Sequence, residues 1–288
     1  MPPWPGCRPV RAERYWQRAL AASERARASG ALVPLGTEIE ALEGLAPFVV
    51  RRLTSRPPRH LRPEGPKPNP FLPWDPPLEV DLLASGHVLL LNKYPVQPAH
   101  LLVISQQWRP QSGWLEAPDW QAVATVAVDT GGLWFFNSSG TAGASQPHRH
   151  LQLLPRRPQE PSCPLAPLLE AQLEGAAEPW PWAYRLSRRL DADRGQDLPE
   201  LYAQHCQALG LGRRGEDPAP RHAYNLLFDD RWFLTVRRVR EHCAGFSINA
   251  LGFAGYLLRT EMSDRDWLQR HGPWHLLAEV AASASAEF

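Results

Sequence analysis

The stretch Asn137-Ser-Ser-Gly-Thr-Ala-Gly-Ala-Ser-Gln-Pro-His-Arg-His-Leu-Gln152 runs small residues straight into an alternating pattern. In an extended strand, residues two apart share a face. From 148 to 154 this puts His148, His150 and Gln152 on one face and Arg149, Leu151 and Leu153 on the other. Two imidazoles and an amide on one face are a poor choice for a core. The preceding Gly140, Thr141, Gly143, Ala144 and Ser145 have little side-chain bulk, so their loop exposes backbone N–H groups that can wrap a phosphate. Immediately upstream, the apolar run 133–137 predicts another strand, so the loop joins two strands.

Working outward, His87–Asn92 and His100–Ser105 predict a hairpin across a turn containing Pro95 and Pro98. Residues 11–29, 118–130 and 198–209 have helical spacing, and the first two stop at glycines. Residues 78–83 fit a strand or a turn of helix, 48–50 and 183–190 fit strands, and 55–77 predicts a long Pro-rich ordered loop. Tyr224–Phe228 and Trp232–Val236 predict a second hairpin. Residues 248–259 and 264–280 predict closing helices, the latter interrupted at Gly272-Pro273. Strands and helices do not alternate regularly, which predicts an α+β fold with antiparallel sheets. The expected organisation is an N-terminal helical segment (1–45), a half carrying the His148–Gln152 strand (46–182) and a second half completing the site (183–288).

The 288 residues are 43% hydrophobic, enough for one large core or two intimately packed halves. A net charge of +1 argues against general nucleic-acid binding but says little about a small anionic substrate. The four cysteines form no CxxC pair, which predicts reduced, structural thiols. No apolar stretch approaches the roughly 18 residues of a membrane span, and the first residues lack a signal-peptide core, so the expectation is a cytoplasmic protein.

The chemistry follows from the strand and its loop. A neutral imidazole attacks phosphorus at neutral pH, and the resulting phosphoramidate can hand the group on. A second histidine can orient the first or bond a phosphate oxygen. Gln152 can donate through its NH₂ and cannot act as an acid. An HxH pair on a strand is also a common metal-ligand pair, but no third ligand stands at a familiar spacing.

Asn92-Lys-Tyr-Pro-Val-x-Pro-x-His100-Leu-Leu-Val, Phe136-Asn-Ser138 and Gly143-Ala-Ser-Gln-Pro-His-Arg-His-Leu-Gln152 occur in order. Together they resemble the motifs of the ATP adenylyltransferases, or diadenosine tetraphosphate phosphorylases. Tyr224–Leu227 and Ser247–Gly255 are similar to that family's C-terminal motifs, and the likeness covers roughly residues 45–260. The resemblance implies a histidine-triad-like antiparallel sheet with flanking helices, and two fused halves in one compact unit. It implies that His150 attacks the α-phosphorus of a dinucleoside tetraphosphate and expels ATP, and that inorganic phosphate then removes the AMP as ADP. His148 and Gln152 are implied as its catalytic companions. Asn92, Lys93, Asn137 and the loop Gly143, Ala144, Ser145 and Gln146 are implied to bind substrate, with Asn249, Gly255 and Arg259 as C-terminal positions. Arg259 stands where the family is expected to carry Lys. A basic residue near the N-terminus also binds phosphate in the family, with Lys67 or Arg52 as candidates here. No covalently bound cofactor is expected, and Mg²⁺ is a reasonable phosphate counter-ion.

Competing expectations are a hexose-1-phosphate uridylyltransferase, disfavoured by Arg149 within the His148–His150 triplet, and a dinucleoside polyphosphate hydrolase, disfavoured by Gln152. A non-catalytic nucleotide sensor and a metal-binding module complete the set. The plainer readings make Lys93 a solvated turn residue, Asn137 a strand-end cap and Ser145 a turn residue. The expected partners are dinucleoside polyphosphate, ATP, ADP and phosphate.

Overall fold

The computed structural model describes residues 11–55, 69–157, 159–190 and 195–284. In chain order the elements are α1 (Arg14–Ala28), β1 (Thr37–Ile39), β2 (Val49–Leu53), β3 (Glu79–Leu83), β4 (His87–Leu91), β5 (Leu101–Ser105), α2 (Ala117–Asp129) and β6 (Gly132–Asn137). They continue with β7 (His150–Pro155), α3 (Ala166–Leu173), β8 (Tyr184–Arg188), α4 (Leu198–Ala208), β9 (Tyr224–Phe228) and β10 (Trp232–Arg237). The short β11 (His242–Cys243), β12 (Phe246–Ser247), α5 (Ala250–Phe253) and β13 (Tyr256–Arg259) precede α6 (Arg265–Val280).

An eight-stranded sheet in the order β3-β4-β5-β7-β6-β9-β10-β8 forms the frame, and every neighbouring pair is antiparallel. It draws strands from both ends of the sequence, because β6 leaves β7 and pairs with β9. The central strands β4, β5, β6, β7 and β9 are buried throughout, which explains their near-continuous apolar sequences: both faces are covered. On one face, Leu89, Leu91, Val103, Leu151 and Leu153 pack under α1, α2 and α4. The opposite face is divided. Near β2, α3, α5, β13 and α6 it holds Phe135, Leu154, Leu227 and Leu234, whereas near β4 and β5 a smaller cluster forms from Phe71, Val88, Leu90, Leu102 and Ile104.

Most of the expected elements form, with ends shifted by a residue or two. The exception is 248–259, expected as one helix. Asn249 caps a helix that lasts only through Phe253, and Gly255 then adopts φ +96° and turns the chain into β13. β13 pairs in parallel with β2, completing a separate three-stranded sheet with β1. Leu257 belongs to the core in either geometry, so its apolar character did not distinguish them. The interruption of α6 falls where expected, at Gly272 (φ +78°). Most of the Pro-rich stretch 55–77, with Lys67, lies outside the described residues, as does Cys7. Among the described residues, Cys163, Cys206 and Cys243 are free thiols, and no helix is long and apolar enough to cross a membrane.

Candidate active site

The site lies where the two apolar clusters of the divided face part. β7 runs between β5 and β6, pairing His150 with Ile104, and Gln152 with Leu102 on one side and Phe135 on the other. His150 and Gln152 therefore share the face of both apolar clusters. Phe71 packs against both histidines, with ring centroids 5.6 Å from His148 and 5.5 Å from His150.

Hydrogen bonds assign a role to each nitrogen. His148 precedes the strand proper and forms an isolated antiparallel bridge with Pro110. Its Nε2 donates to the Ser105 carbonyl at 2.8 Å, and its Nδ1 accepts from Asn69 Nδ2 at 3.2 Å. Asn69 Oδ1 accepts from Phe71 N, which fixes the orientation of that amide. Both ring nitrogens of His148 are thus engaged by the protein, and what it offers His150 is its backbone carbonyl. His150 Nδ1 donates to that carbonyl at 2.8 Å. This bond holds the proton on Nδ1 and leaves the lone pair on Nε2. Burial, reinforced by the nearby Arg149 and His148 and opposed by the carbonyl bond, pushes the His150 pKa down from 6.5 to about 4. The ring is therefore neutral and nucleophilic at pH 7.

Gln152 is oriented by a residue to which the sequence reading assigned no role. His100, the last polar position of the Asn92–His100 motif, donates from Nε2 to Gln152 Oε1 at 3.0 Å. Its Nδ1 accepts from Asn92 Nδ2 at 3.0 Å, and Asn92 Oδ1 accepts from Tyr94 N. The chain of bonds from Tyr94 to Gln152 has one consistent polarity, and it leaves the Gln152 NH₂ free to donate. Burial holds His100 neutral, at a pKa of about 4. Its signal in the sequence was a histidine opening the mostly apolar predicted strand His100–Ser105.

Gln111 had no such signal, since it lies in an irregular loop. Where β6 and β7 separate, its carboxamide fills the gap. Oε1 accepts from His150 N at 2.8 Å, and Nε2 donates to Asn137 O at 2.7 Å and His150 O at 3.2 Å. On the far face of β7, the buried Arg149 donates to Asp119 at 2.7 Å and to Pro110 O. Burial opposes the Asp119 charge, but the bond from His87 and the charge of Arg149 outweigh it and hold the carboxyl below its ordinary range.

The remaining candidates separate into three groups. Asn137 is buried with Oδ1 accepting from Asn225 Nδ2 and Ala250 N, both at 2.8 Å, so Nδ2 is the atom left to meet a ligand. In the loop, Gly143 N donates to Gly140 O and Ala144 N to Ser139 O. These two amides serve the turn itself, which narrows the expected phosphate donors to the Ser145 and Gln146 end. Gly143 has φ +84°, and a Cβ there would sit 2.7 Å from Asn249 Cβ, so the loop and Asn249 are in contact. Asn249 Oδ1 itself accepts from Leu251 N. Gly255 and Arg259 are placed elsewhere: Gly255 turns against Pro164 and Leu165, and Arg259 forms an ion pair with Glu40 at 2.7 Å. Arg259 therefore has a fixed carboxylate partner and sits on β13 of the three-stranded sheet. Lys93 reaches Asp75 at 3.3 Å while half exposed, and Arg52 pairs with Glu38. Among the described residues, no group of three or more His, Cys, Asp or Glu side chains is placed to hold a metal ion.

The model of the Ap4A phosphorylase N-terminal domain matches residues 7–171, more than half of the chain. The chain belongs to the Ap4A phosphorylase family. The ATP adenylyltransferase C-terminal domain matches residues 178–283. Diadenosine 5',5'''-P1,P4-tetraphosphate phosphorylase 2 of Saccharomyces cerevisiae is 24% identical over 220 residues, covering 66% of each chain. Protein APA1 of the same yeast is 24% identical over 198 residues, covering 60% of this chain and 61% of its own. The chain thus spans just under two thirds of the length of these curated relatives. Among solved structures, yeast Ap4A phosphorylase Apa2 in complex with AMP superposes with a TM-score of 0.71 at 20% identity, covering 96% of this chain and 100% of Apa2. The Apa2 complex with Ap4A gives 0.69 at 21% identity with the same coverage. The α+β fold of this Ap4A phosphorylase family member is therefore that of Apa2.

Proposed function

We propose that this protein is a nucleotidyltransferase that splits diadenosine tetraphosphate with inorganic phosphate into ADP and ATP through an AMP intermediate on His150. The observation that carries the reading is the His150 Nδ1–His148 O bond, which leaves the Nε2 lone pair uncommitted on the strand face that also carries the Gln152 amide. Nε2 attacks the α-phosphorus, and the bond from that phosphorus to its bridging oxygen breaks. ATP leaves with the electron pair. The ring becomes positively charged, and the His148 carbonyl, already accepting from Nδ1, stabilises that charge. The Gln152 NH₂ donates to a non-bridging oxygen as charge builds there. An oxygen of inorganic phosphate then attacks the same phosphorus, the P–N bond breaks, and ADP departs. Gln152 carries no acidic proton and is no general base, which favours an anionic acceptor over water.

Asn137 Nδ2 and the Ser145–Gln146 amides hold phosphate oxygens in this reading, and Lys67 remains a proposed phosphate cation. Mg²⁺ enters as a counter-charge carried on the polyphosphate substrate. That is supported by the affinity of Mg²⁺ for phosphate oxygens. The division into halves at 182 and a cytoplasmic setting complete the proposal, the latter supported by three free thiols among the described residues.

Product analysis with diadenosine tetraphosphate, Mg²⁺ and labelled phosphate tests the reading. Label in ADP with ATP formed alongside is the expected result. AMP and ATP without label in ADP identifies a hydrolase instead, and absence of any nucleotide turnover removes the enzymatic reading.

A further inference from the structure

Arg238 is the first residue after β10 and is 2% exposed. Its Nε donates to Val280 O at 3.0 Å, and its Nη2 donates to Arg240 O at 2.7 Å and Ile248 O at 2.9 Å. Nη1 donates to Asn225 Oδ1 and, at 3.4 Å, to Ala142 O. The guanidinium also lies 5.4 Å from the Phe253 ring centroid. All of these oxygens belong to neutral groups. Among the described residues Arg238 has no ion-pair partner. Glu241 is the acidic group that acts on it, and that carboxylate is a third exposed and accepts from Ser247 Oγ at 2.6 Å. Burial lowers the guanidinium pKa from 12.5 to about 9, so the group stays charged at neutral pH.

A buried cation without a counter-charge is unfavourable in the free protein. Its surroundings say what offsets it. Ala142 O, which also accepts from Asn225 Nδ2, ends the turn of the loop 139–146. Ile248 adjoins Asn249, against which Gly143 packs. Arg238 therefore reaches the loop through the loop's own backbone, at the Ala142 carbonyl. In that low-dielectric position its field is screened far less than that of a surface lysine.

We propose that Arg238 is the buried positive charge for the polyphosphate of the substrate, acting through the Ala142 turn and Asn225 without touching the phosphates. It is a positioning residue for an anion of the tripolyphosphate class. The inference rests on the reading that the 139–146 loop holds the polyphosphate.

Calorimetric titration of the wild type, Arg238→Lys and Arg238→Gln with sodium tripolyphosphate and with adenosine tests it, alongside Ap4A turnover by the wild type. Arg238→Gln keeps donors but loses the charge, and is expected to weaken tripolyphosphate binding by at least about tenfold. Arg238→Lys keeps a cation at lower pH but loses the fork that spans these acceptors, and is expected to lose clearly less tripolyphosphate affinity than Arg238→Gln at about pH 6. Adenosine affinity is expected to be unchanged in both. A merely structural Arg238 predicts instead that Lys and Gln are equally damaging, or that adenosine affinity falls in step with tripolyphosphate affinity, and either result overturns the proposal. An Arg238→Gln protein matching wild type on tripolyphosphate also overturns it. Should Arg238→Gln give no cooperative melting, the pH dependence of Arg238→Lys decides: tripolyphosphate affinity that falls from about pH 6 to about pH 9 more steeply than in the wild type, with adenosine affinity unchanged, supports the proposal, and a profile parallel to that of the wild type ends it. A wild type that converts Ap4A while Arg238→Gln binds tripolyphosphate normally removes only this inference. A wild type that neither turns over Ap4A nor binds tripolyphosphate removes the functional reading and this inference together.

Discussion

At the scale of single residues, two imidazoles on neighbouring strands have opposite duties. His150 spends only Nδ1, on the His148 carbonyl, and His100 spends both nitrogens on amides. Replacing His150 by Ala is expected to abolish Ap4A turnover while equilibrium dialysis still detects nucleotide binding; residual turnover near wild type would show that no covalent step occurs there. Gln152→Ala is expected to slow turnover by about two to three powers of ten, the usual cost of one oxyanion donor. His100→Ala removes the group that orients Gln152, so its loss is expected to be about ten- to a hundredfold, by analogy with other supporting-shell residues. The two substitutions share one mechanism. The double variant is therefore expected to be no slower than Gln152→Ala alone in single-turnover measurements, and fully multiplicative losses would separate them.

At the scale of elements, β7 is anchored from below and from its end. Beneath it, Arg149 and Asp119 form an ion pair with both side chains 3% exposed, which ties the strand to the first turn of α2. Asp119→Ala leaves the Arg149 charge buried and unpaired, and is expected to cost about 3–5 kcal/mol in urea unfolding. The double change with Arg149→Met is expected to be milder than Asp119→Ala alone; a double variant as unstable as the sum of both singles would show that the pair is not the reason. At the end of β7, the loop holds to the second half of the chain by close contact. Gly143→Ala forces a Cβ to within 2.8 Å of Ile248 O at a positive φ. The strain of about 1–3 kcal/mol is expected to lift the loop and raise KM for Ap4A more than it lowers kcat. A kcat loss with KM unchanged would place the loop's role in the chemical step instead.

At the scale of the whole molecule, burial of histidines couples stability to acid. His100 and His150 titrate at about 4 and His205 at about 3 in the folded protein, each lowered chiefly by burial from 6.5. Above pH 6.5 these rings are neutral whether the chain is folded or not, and they add no pH dependence. Below it the unfolded chain binds protons that the folded one refuses, so stability falls until the folded groups titrate. Each contributes a slope of up to about 1.4 kcal/mol per pH unit in that window. Urea midpoints between pH 7 and 4 are expected to fall steadily, and a flat profile would mean that these rings are hydrated in the folded state.

Periodicity alone determined much of this protein. Residues two apart put His150 and Gln152 on one face, and uninterrupted apolar runs placed β4, β5 and β6, because such patterns arise from strand geometry itself. Local chemistry also marked the glycine loop before His148. Sequence could not say which nitrogens were free, since His148 and His150 look alike as letters and differ only in what Ser105, Asn69 and the His148 carbonyl do to them. Nor could it place Gln111, 39 residues from His150 in an irregular loop, or send 256–259 into a strand beside β2. Nor could it pair Arg259 with Glu40, 219 residues away. Faces and loops follow from neighbours along the chain, whereas tautomers, free donors and buried charges follow from neighbours in space, which only the folded protein assembles.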